Sequence, residues 1–472
     1  MLIRHSSVYL IGRLLSAFIT IGSLWLFSRI FAPDVFGVYT SVVAYSSVAQ
    51  LALYQWLRVT LLRFVATHPE AAALRGNVMA LFVGMTALLM AGGLILHFAL
   101  PDLRVFIWPT LLATFCTAWS ELCLDYQRAH LKPRTYVLIS LGRDALFLAL
   151  AWGLAEAGYG VWALLAAFIF ANLLPTLPVL PAYLKGLWPL KLRGDLLKSI
   201  FKYGLPLAPT FTLSALVNNI DRLLLPILIS THAAGLYGPA HSMARQTINM
   251  LMQSVNLAAF PLAIRALETG VDEARKQLRH NLTLLLAIGL PALVGLAALA
   301  PAIAHTLFGP DYAPAAAHLL PWLALSWFLH SLRSFYTEQA FQLGKNTRPA
   351  LYVALASATI AVSTSFYCLW AFGFEGAAYG AVTGASLALL CSWYFGRNIF
   401  PLPFPLRAVG KVGVSALVMG AVVWPQRENT GFIWLGLAVA SGGLTYVAMC
   451  VGLNVLDIRT HLTKRLLKRN PR

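Results

Sequence analysis

The chain has 472 residues, 59% of them hydrophobic and only 11% charged. A water-solvated core does not tolerate that balance, whereas a bilayer demands it, because each span must satisfy its own backbone within a helix. The net charge of +18 would suit a nucleic acid partner only if the basic residues clustered on one soluble face, and their positions exclude this.

In chain order, apolar stretches of about twenty residues fall near 8-31, 38-62, 76-97, 104-128, 136-156, 160-183, 204-229, 236-262, 281-304, 312-342, 350-371, 376-397, 405-424 and 431-455. They predict an all-α polytopic membrane protein with fourteen transmembrane helices. The first span is too long for a cleaved signal peptide, and Ala32-Pro33-Asp34-Val35-Phe36-Gly37 couples it tightly to the second.

With the N-terminus taken as cytoplasmic, the inner segments hold Arg4, Arg75, Lys132, Arg134, Lys185, Lys191, Arg193, Lys198, Lys202, Arg265, Arg275, Lys276, Arg279, Lys345, Arg348, Arg397, Arg407, Lys411 and the tail from Arg459 to Arg472. The outer loops hold only Arg104 and Arg427. This asymmetry places both termini in the cytoplasm, so the basic charge reports topology. The tail, with Lys464-Arg465-Leu466-Leu467-Lys468-Arg469, reads either as a basic surface helix or as a solvated topogenic segment.

Cys116, Cys123, Cys368, Cys391 and Cys450 stand singly within spans. Their odd number and lack of paired spacing point to apolar fillers.

Two turns match at a constant offset of 198: Arg29-Ile30-Phe31-Ala32-Pro33-Asp34-Val35-Phe36-Gly37-Val38-Tyr39 and Ile227-Leu228-Ile229-Ser230-Thr231-His232-Ala233-Ala234-Gly235-Leu236-Tyr237. A fainter echo pairs Gly158-Tyr159-Gly160 with Gly373-Phe374-Glu375-Gly376. The expected organisation is an N-terminal lobe over 1-183, a cytoplasmic linker over 184-203, a C-terminal lobe over 204-397, an extra helix pair over 398-455 and a basic tail over 456-472. Six is even, so both repeats enter the membrane from the same side, as in transporters with a site between two lobes.

Ionised side chains inside a bilayer need partners, a water-filled cavity or a nearby interface. Glu121, Asp125 and Arg128 share one helix face and suggest an ion-pair ladder. Arg143 and Asp144 point about 100° apart and are not expected to neutralise each other directly. Arg63, Arg128 and Arg333 sit near enough to the inner interface to snorkel. Span seven carries Asn218, Asn219, Asp221 and Arg222, and span eight carries His241 with Arg245. The equivalent spans one and two carry Arg13, with Ser16 and Thr20, and Arg58, with Gln55. Arg13, Arg58, Arg222 and Arg245 are therefore expected to converge on one cavity, the alternative being structural pairing with Asp221 and the span-four carboxylates. Arginine binds phosphate oxygens bidentately and keeps its charge at low dielectric, so the expected cargo is an anion such as a diphosphate.

Along its full length the chain resembles the Wzx-type polysaccharide flippases of the multidrug/oligosaccharidyl-lipid/polysaccharide exporter superfamily. The resemblance rests on the Arg29 to Tyr39 turn, Arg63-Phe64, Asp221-Arg222-Leu223-Leu224-Leu225, Gly235-Leu236-Tyr237 and Pro261 closing helix eight. It implies a bacterial inner-membrane flippase that moves an undecaprenyl-diphosphate-linked oligosaccharide, such as an O-antigen, capsule or exopolysaccharide unit, to the periplasmic leaflet by alternating access. It implies cargo-binding roles for Arg13, Arg58, Arg222 and Arg245, and a lipid-tail groove formed by helices thirteen and fourteen. It also implies a monomer among membrane lipids, working with a polysaccharide polymerase and chain-length machinery. No cofactor or metal is expected; H+ or Na+ is the coupling ion to consider, with Asp221, His241 and Asn218 as coupling or pairing residues.

Rivals are a multidrug or cation antiporter of the same superfamily, which favours carboxylates in its cavity, and a flippase for another precursor such as lipid II. A membrane glycosyltransferase, polymerase or ligase needs a large extramembrane loop or an acidic metal motif. Here the outer loops are a few residues long, and no HExxH, Ser/His/Asp or Gly-rich phosphate motif occurs.

Overall fold

Apolar runs that cannot leave peptide groups bare in lipid fold as helices, and in the computed structural model nearly every described residue is helical. The structure describes residues 2–65, 71–185, 192–344, 348–457 and 459. Among them eleven stretches are long and apolar enough to cross a membrane; the chain is an integral, multi-pass membrane protein. Contacts divide it into two units, Met1–Gly235 and Leu236–Arg472.

The first unit holds α1 (Leu2–Ile30), α2 (Pro33–Leu53), α3 (Gln55–Val65), α4 (Ala71–Ala99), α5 (Arg104–Ala129), α6 (Pro133–Glu156), α7 (Val161–Leu173), α8 (Leu180–Leu184), α9 (Gly194–Gly204), α10 (Ala208–Leu228) and the start of α11 (Thr231–Ala244). Pro33 and Pro133 open α2 and α6 at their first position, where a missing N–H costs nothing. Span two, read as one run, is two helices that meet at Tyr54, whose ring is buried and whose hydroxyl lies 3.0 Å from Thr86 Oγ1. The core joins Trp56, Leu57 and Leu61 of α3 to Val78 and Phe82 of α4, Leu122 of α5 and Ile200 of α9. Helix α10 packs along α2, where Tyr45 donates to the Leu223 carbonyl at 3.1 Å.

The second unit continues α11 into a π-helical segment, Arg245–Asn249. It then holds α12 (Met250–Thr269), α13 (Val271–Ala298), α14 (Ala300–Leu307), α15 (Ala313–Leu332), a second π segment at Arg333–Thr337, α16 (Gln339–Leu343), α17 (Arg348–Phe372), α18 (Gly376–Gly396), α19 (Leu406–Val423) and α20 (Phe432–Gly452). Pro261 lies inside α12 and does not close it; the helix runs on to Thr269. Small residues bring α17 and α18 together in the way of membrane small-xxx-small packing. A Cβ on Gly376 would stand 1.9 Å from the Cys368 carbonyl oxygen, and one on Gly380 2.8 Å from Ser365 Cα.

Polar residues sit in apolar spans largely by bonding their own helix. Thr20, Ser47, Thr60 and Thr283 each donate to the carbonyl four residues earlier, at 2.7 to 2.8 Å. All five cysteines are unpaired, four of them buried. The turn echo has a conformational basis, since Gly158 and Gly373 both adopt positive φ, at 85° and 60°. The tail from residue 460 lies outside the described residues.

Candidate functional site

Arg58 is tethered by three side chains. Its Nε donates to Asp125 at 2.8 Å, one terminal nitrogen to Glu121 at 2.7 Å and the other to Gln55 at 2.8 Å. Arg143 approaches the second oxygen of Glu121 at 3.0 Å and Asp144 at 3.5 Å, and Arg128 lies 3.8 Å from Asp125. The two span-four carboxylates therefore serve arginines from three different helices, a balanced network rather than a ladder along α5. The Arg143–Asp144 contact corrects the expectation that these neighbours do not meet: Cβ directions about 100° apart leave a long arginine stem free to curl back.

Arg222 lies buried on α10 and donates to the Thr40 carbonyl at 2.9 Å, clamping α10 to α2. Asp221 is buried beside it, and Asn218, one turn earlier, has a buried Oδ1 with no hydrogen-bond partner among the described residues. Arg58 and Arg222 thus have separate partners. Arg13 falls within α1, and its side chain lies outside the described residues.

In the second unit His241 and Arg245 do share their surroundings, which are aromatic. The buried His241 ring stacks on Tyr237, centroids 5.5 Å apart, and meets Trp327 edge-on at 5.4 Å. The Arg245 guanidinium stands 5.7 Å over the same indole, and the His330 ring lies 5.1 Å from it. Arg245 is exposed and forms no ion pair among the described residues. It opens the first π segment, whose Asn249 accepts from Ser331 at 3.3 Å just before the second; π segments of this kind are frequent at functional sites. Arg333 does not snorkel. It is buried, 3.4 Å from Glu338.

The repeated turns meet each other. Asp34 pairs with His232 at 3.1 Å, Thr40 donates to the Ala234 carbonyl at 3.4 Å, and both turns therefore lie at one end of the helices. Their glycines make the contact possible: a Cβ on Gly37 would fall 1.8 Å from the Thr231 carbonyl oxygen, and one on Gly235 would fall 1.8 Å from that of Pro33. Asp34 and His232, like Gly37 and Gly235, are equivalent positions of the two repeats.

Two cavities lie in the first unit, one of them without any sequence signal. One of about 540 Å³ is apolar, lined among others by Leu88, Gly92, Phe106, Leu223 and Ile227. The other, about 280 Å³, has a mixed wall, with Thr20, Arg143, Asp144 and Asn172 set among apolar residues such as Phe147 and Phe168. Gln55 in the first unit, and Trp327 and His330 in the second, also surround the arginines; only Gln55, three residues before Arg58, had a local spacing to announce it. No group of three or more His, Cys, Asp or Glu side chains among the described residues is placed to hold a metal ion.

The family described as polysaccharide biosynthesis protein matches residues 26–317. Among solved structures, the lipid II flippase MurJ in an inward closed conformation is similar over 96% of this chain and 99% of its own, at 13% identity and a TM-score of 0.71. An inward-facing multidrug resistance MATE family transporter of the MOP superfamily is similar over 83% and 97%, at 16% identity and a TM-score of 0.58. A mutant form of the Vibrio cholerae MATE transporter VcmN is similar over 84% and 95%, at 15% identity and a TM-score of 0.53. At such identities the likeness is one of fold. No curated protein matches the sequence.

Proposed function

The chain belongs to the polysaccharide biosynthesis protein family, and from that premise we propose that it flips a diphosphate-linked oligosaccharide on an undecaprenyl carrier across the bacterial inner membrane. Cargo enters from the cytoplasmic leaflet and leaves to the periplasmic one by alternating access, with both termini cytoplasmic. The eleven membrane-crossing stretches support fourteen spans: Pro349–Gly396 holds two helices, and Leu15–Ile30 and Ala313–Leu332 supply two more. The proposed division remains a lobe over 1-183, a linker over 184-203, a lobe over 204-397, an added pair over 398-455 and the tail.

The observation that carries this reading is Arg245. An exposed arginine within a membrane-spanning helix, with an indole beside its guanidinium and no carboxylate paired to it among the described residues, has its charge available to a ligand from outside the protein. A phosphate group suits it, since Arg to phosphate is a charge-assisted and often bidentate contact. Arg222 and Arg13 are proposed as further cargo contacts. Arg58 joins them only by exchanging its carboxylates for phosphate. Asp221, His241 and Asn218 stay candidates for coupling to H+ or Na+, and a polymerase with its chain-length machinery is the proposed consumer of the flipped unit.

A multidrug or cation antiporter shares this fold, but a drug cation calls for an unneutralised acid, and Glu121 and Asp125 are both occupied by arginine. Lipid II and other lipid-linked precursors share the diphosphate and differ in the sugar. The test is to extract the lipid-linked sugars of a deletion strain and to complement it with Arg245→Ala and Arg222→Ala. The expected result is a polyprenyl-diphosphate oligosaccharide held on the cytoplasmic leaflet, and no rescue of surface glycan by variants present at normal levels in the membrane. Normal glycan from both variants sinks the proposal.

A further inference from the structure

Helix α9 turns a basic face outward that cargo transport does not use. Leu196, Ile200 and Gly204, spaced at i, i+4 and i+8, are buried where α9 packs on α3 and α4, and the seat is close. A Cβ on Gly204 would stand 2.5 Å from Thr60 Oγ1 and 2.6 Å from the Trp56 ring. Phe201 stacks on Trp56 with centroids 5.7 Å apart, and Arg63 lies 4.1 Å over the ring of Tyr203. At the other end the fully buried Asn77 amide donates to the Arg193 carbonyl at 3.2 Å and accepts from its N–H at 3.3 Å. These contacts fix α9 where α3 ends and α4 begins.

The outer face carries Lys198 and Lys202 one turn apart, both exposed and neither ion-paired among the described residues. Several other surface charges of the chain are matched: Arg193 with Asp195 at 2.6 Å, Arg275 with Asp272 at 3.2 Å and Lys276 with Glu273 at 2.6 Å. Like charges at i and i+4 repel, so this pair is held at a cost that an outside anion offsets. Leu192 and Leu205 flank the helix at 56% and 51% exposed. Paired ammonium groups with exposed leucines beside them are chemistry that suits an anionic lipid surface.

We propose that α9 is a docking surface for anionic phospholipid headgroups of the leaflet beside it, gripped by Lys198 and Lys202. The turn Leu205–Leu207 joins α9 directly to α10, so the same grip ties the helix that bears Arg222 to the charge of that leaflet.

The inference does not depend on the cargo, and its test needs no transport. Ser199, exposed between the lysines, is replaced by cysteine in the full chain freed of its native cysteines, labelled with bimane and placed in nanodiscs. Quenching by 5-doxyl phosphatidylglycerol is compared with quenching by 5-doxyl phosphatidylcholine at equal mole fraction. An attraction of the size known for basic residues at anionic surfaces enriches the anionic lipid about five-fold per lysine. The anionic quencher should therefore be several-fold more effective at low salt, and this preference should vanish at about 1 M salt and in Lys198→Glu/Lys202→Glu, with Lys198→Gln/Lys202→Gln between. Equal quenching by the two lipids, quenching by neither, or a preference that survives the charge reversal overturns the proposal.

Discussion

At the scale of the residue, the arginines divide by what neutralises them. Breaking a buried pair costs about 3–5 kcal/mol because the partner is left charged and unpaired. Arg58→Ala leaves Glu121 to Arg143 alone and the buried Asp125 with only the exposed Arg128 at 3.8 Å, and should lower the thermal midpoint of the detergent-solubilised protein by several degrees. Adding Glu121→Gln and Asp125→Asn should restore most of it. If Arg58→Ala leaves the melt unchanged but abolishes glycan export, Arg58 is a cargo ligand and the network is incidental. Arg245 has no such partner to strand. Arg245→Ala should leave the melt nearly unchanged and lose about 1.5–3 kcal/mol of cargo affinity, read as a more than ten-fold fall in flipping by reconstituted protein. Arg245→Lys should recover only part, because the ammonium lacks the planar fork. The residue types and the shared face of Glu121 and Asp125 were legible in the sequence. Pairing of the arginine set with these carboxylates was legible as the structural alternative; that Arg58 and Arg143 are the partners was not, because spacing along α5 says nothing of which side chain α3 or α6 presents across the gap.

Among the elements, the meeting of α2 and α11 is the most sensitive to a single atom. Gly37 and Gly235 each face the other turn's carbonyl at a separation no methyl group can enter. Gly37→Ala or Gly235→Ala should therefore push the helix ends apart, and overpacking of this kind commonly costs about 1–3 kcal/mol. The expected sign is a weaker closed state: a cysteine at Thr40, buried at this contact, should react with a water-soluble maleimide several-fold faster in either variant than with both glycines intact. Equal rates would mean that the contact has no part in closing this end. The offset of 198 made the turns visible in the sequence, but their mutual contact was not, since a repeat states equivalence and not adjacency. The π segments were equally hidden: Arg245 and Arg333 read as ordinary helix positions, and local sequence does not mark where a helix takes an extra residue. The break at Tyr54 and the continuation of α12 through Pro261 have the same origin, tertiary contacts overriding a local pattern.

For the whole molecule, charge asymmetry and the paired turns make a joint prediction about sidedness and motion. The membrane-crossing pattern was readable because it follows from bilayer physics residue by residue. The positive-inside count makes sidedness an expectation to be measured, and the exchange between two states that the proposed mechanism needs depends on small differences between packed arrangements that no spacing reports. Cysteines at Ser230 and Glu428 should label from the periplasm in intact cells, and those at Arg193 and Lys464 only after the inner membrane is opened. Ser230 labelling only from inside inverts the topology. With sidedness fixed, Asp34→Cys with His232→Cys probes the motion, since these side chains already meet at 3.1 Å. The disulfide should form readily, arrest glycan export and release it on reduction, because the alternating access proposed above requires this end to open once per cycle. The equivalent pair Phe31→Cys with Ile229→Cys should behave alike. Export that continues at its normal rate through a fully formed bridge between positions 34 and 232 would mean that cargo never passes between these turns, and the exit would have to be sought elsewhere among the helices.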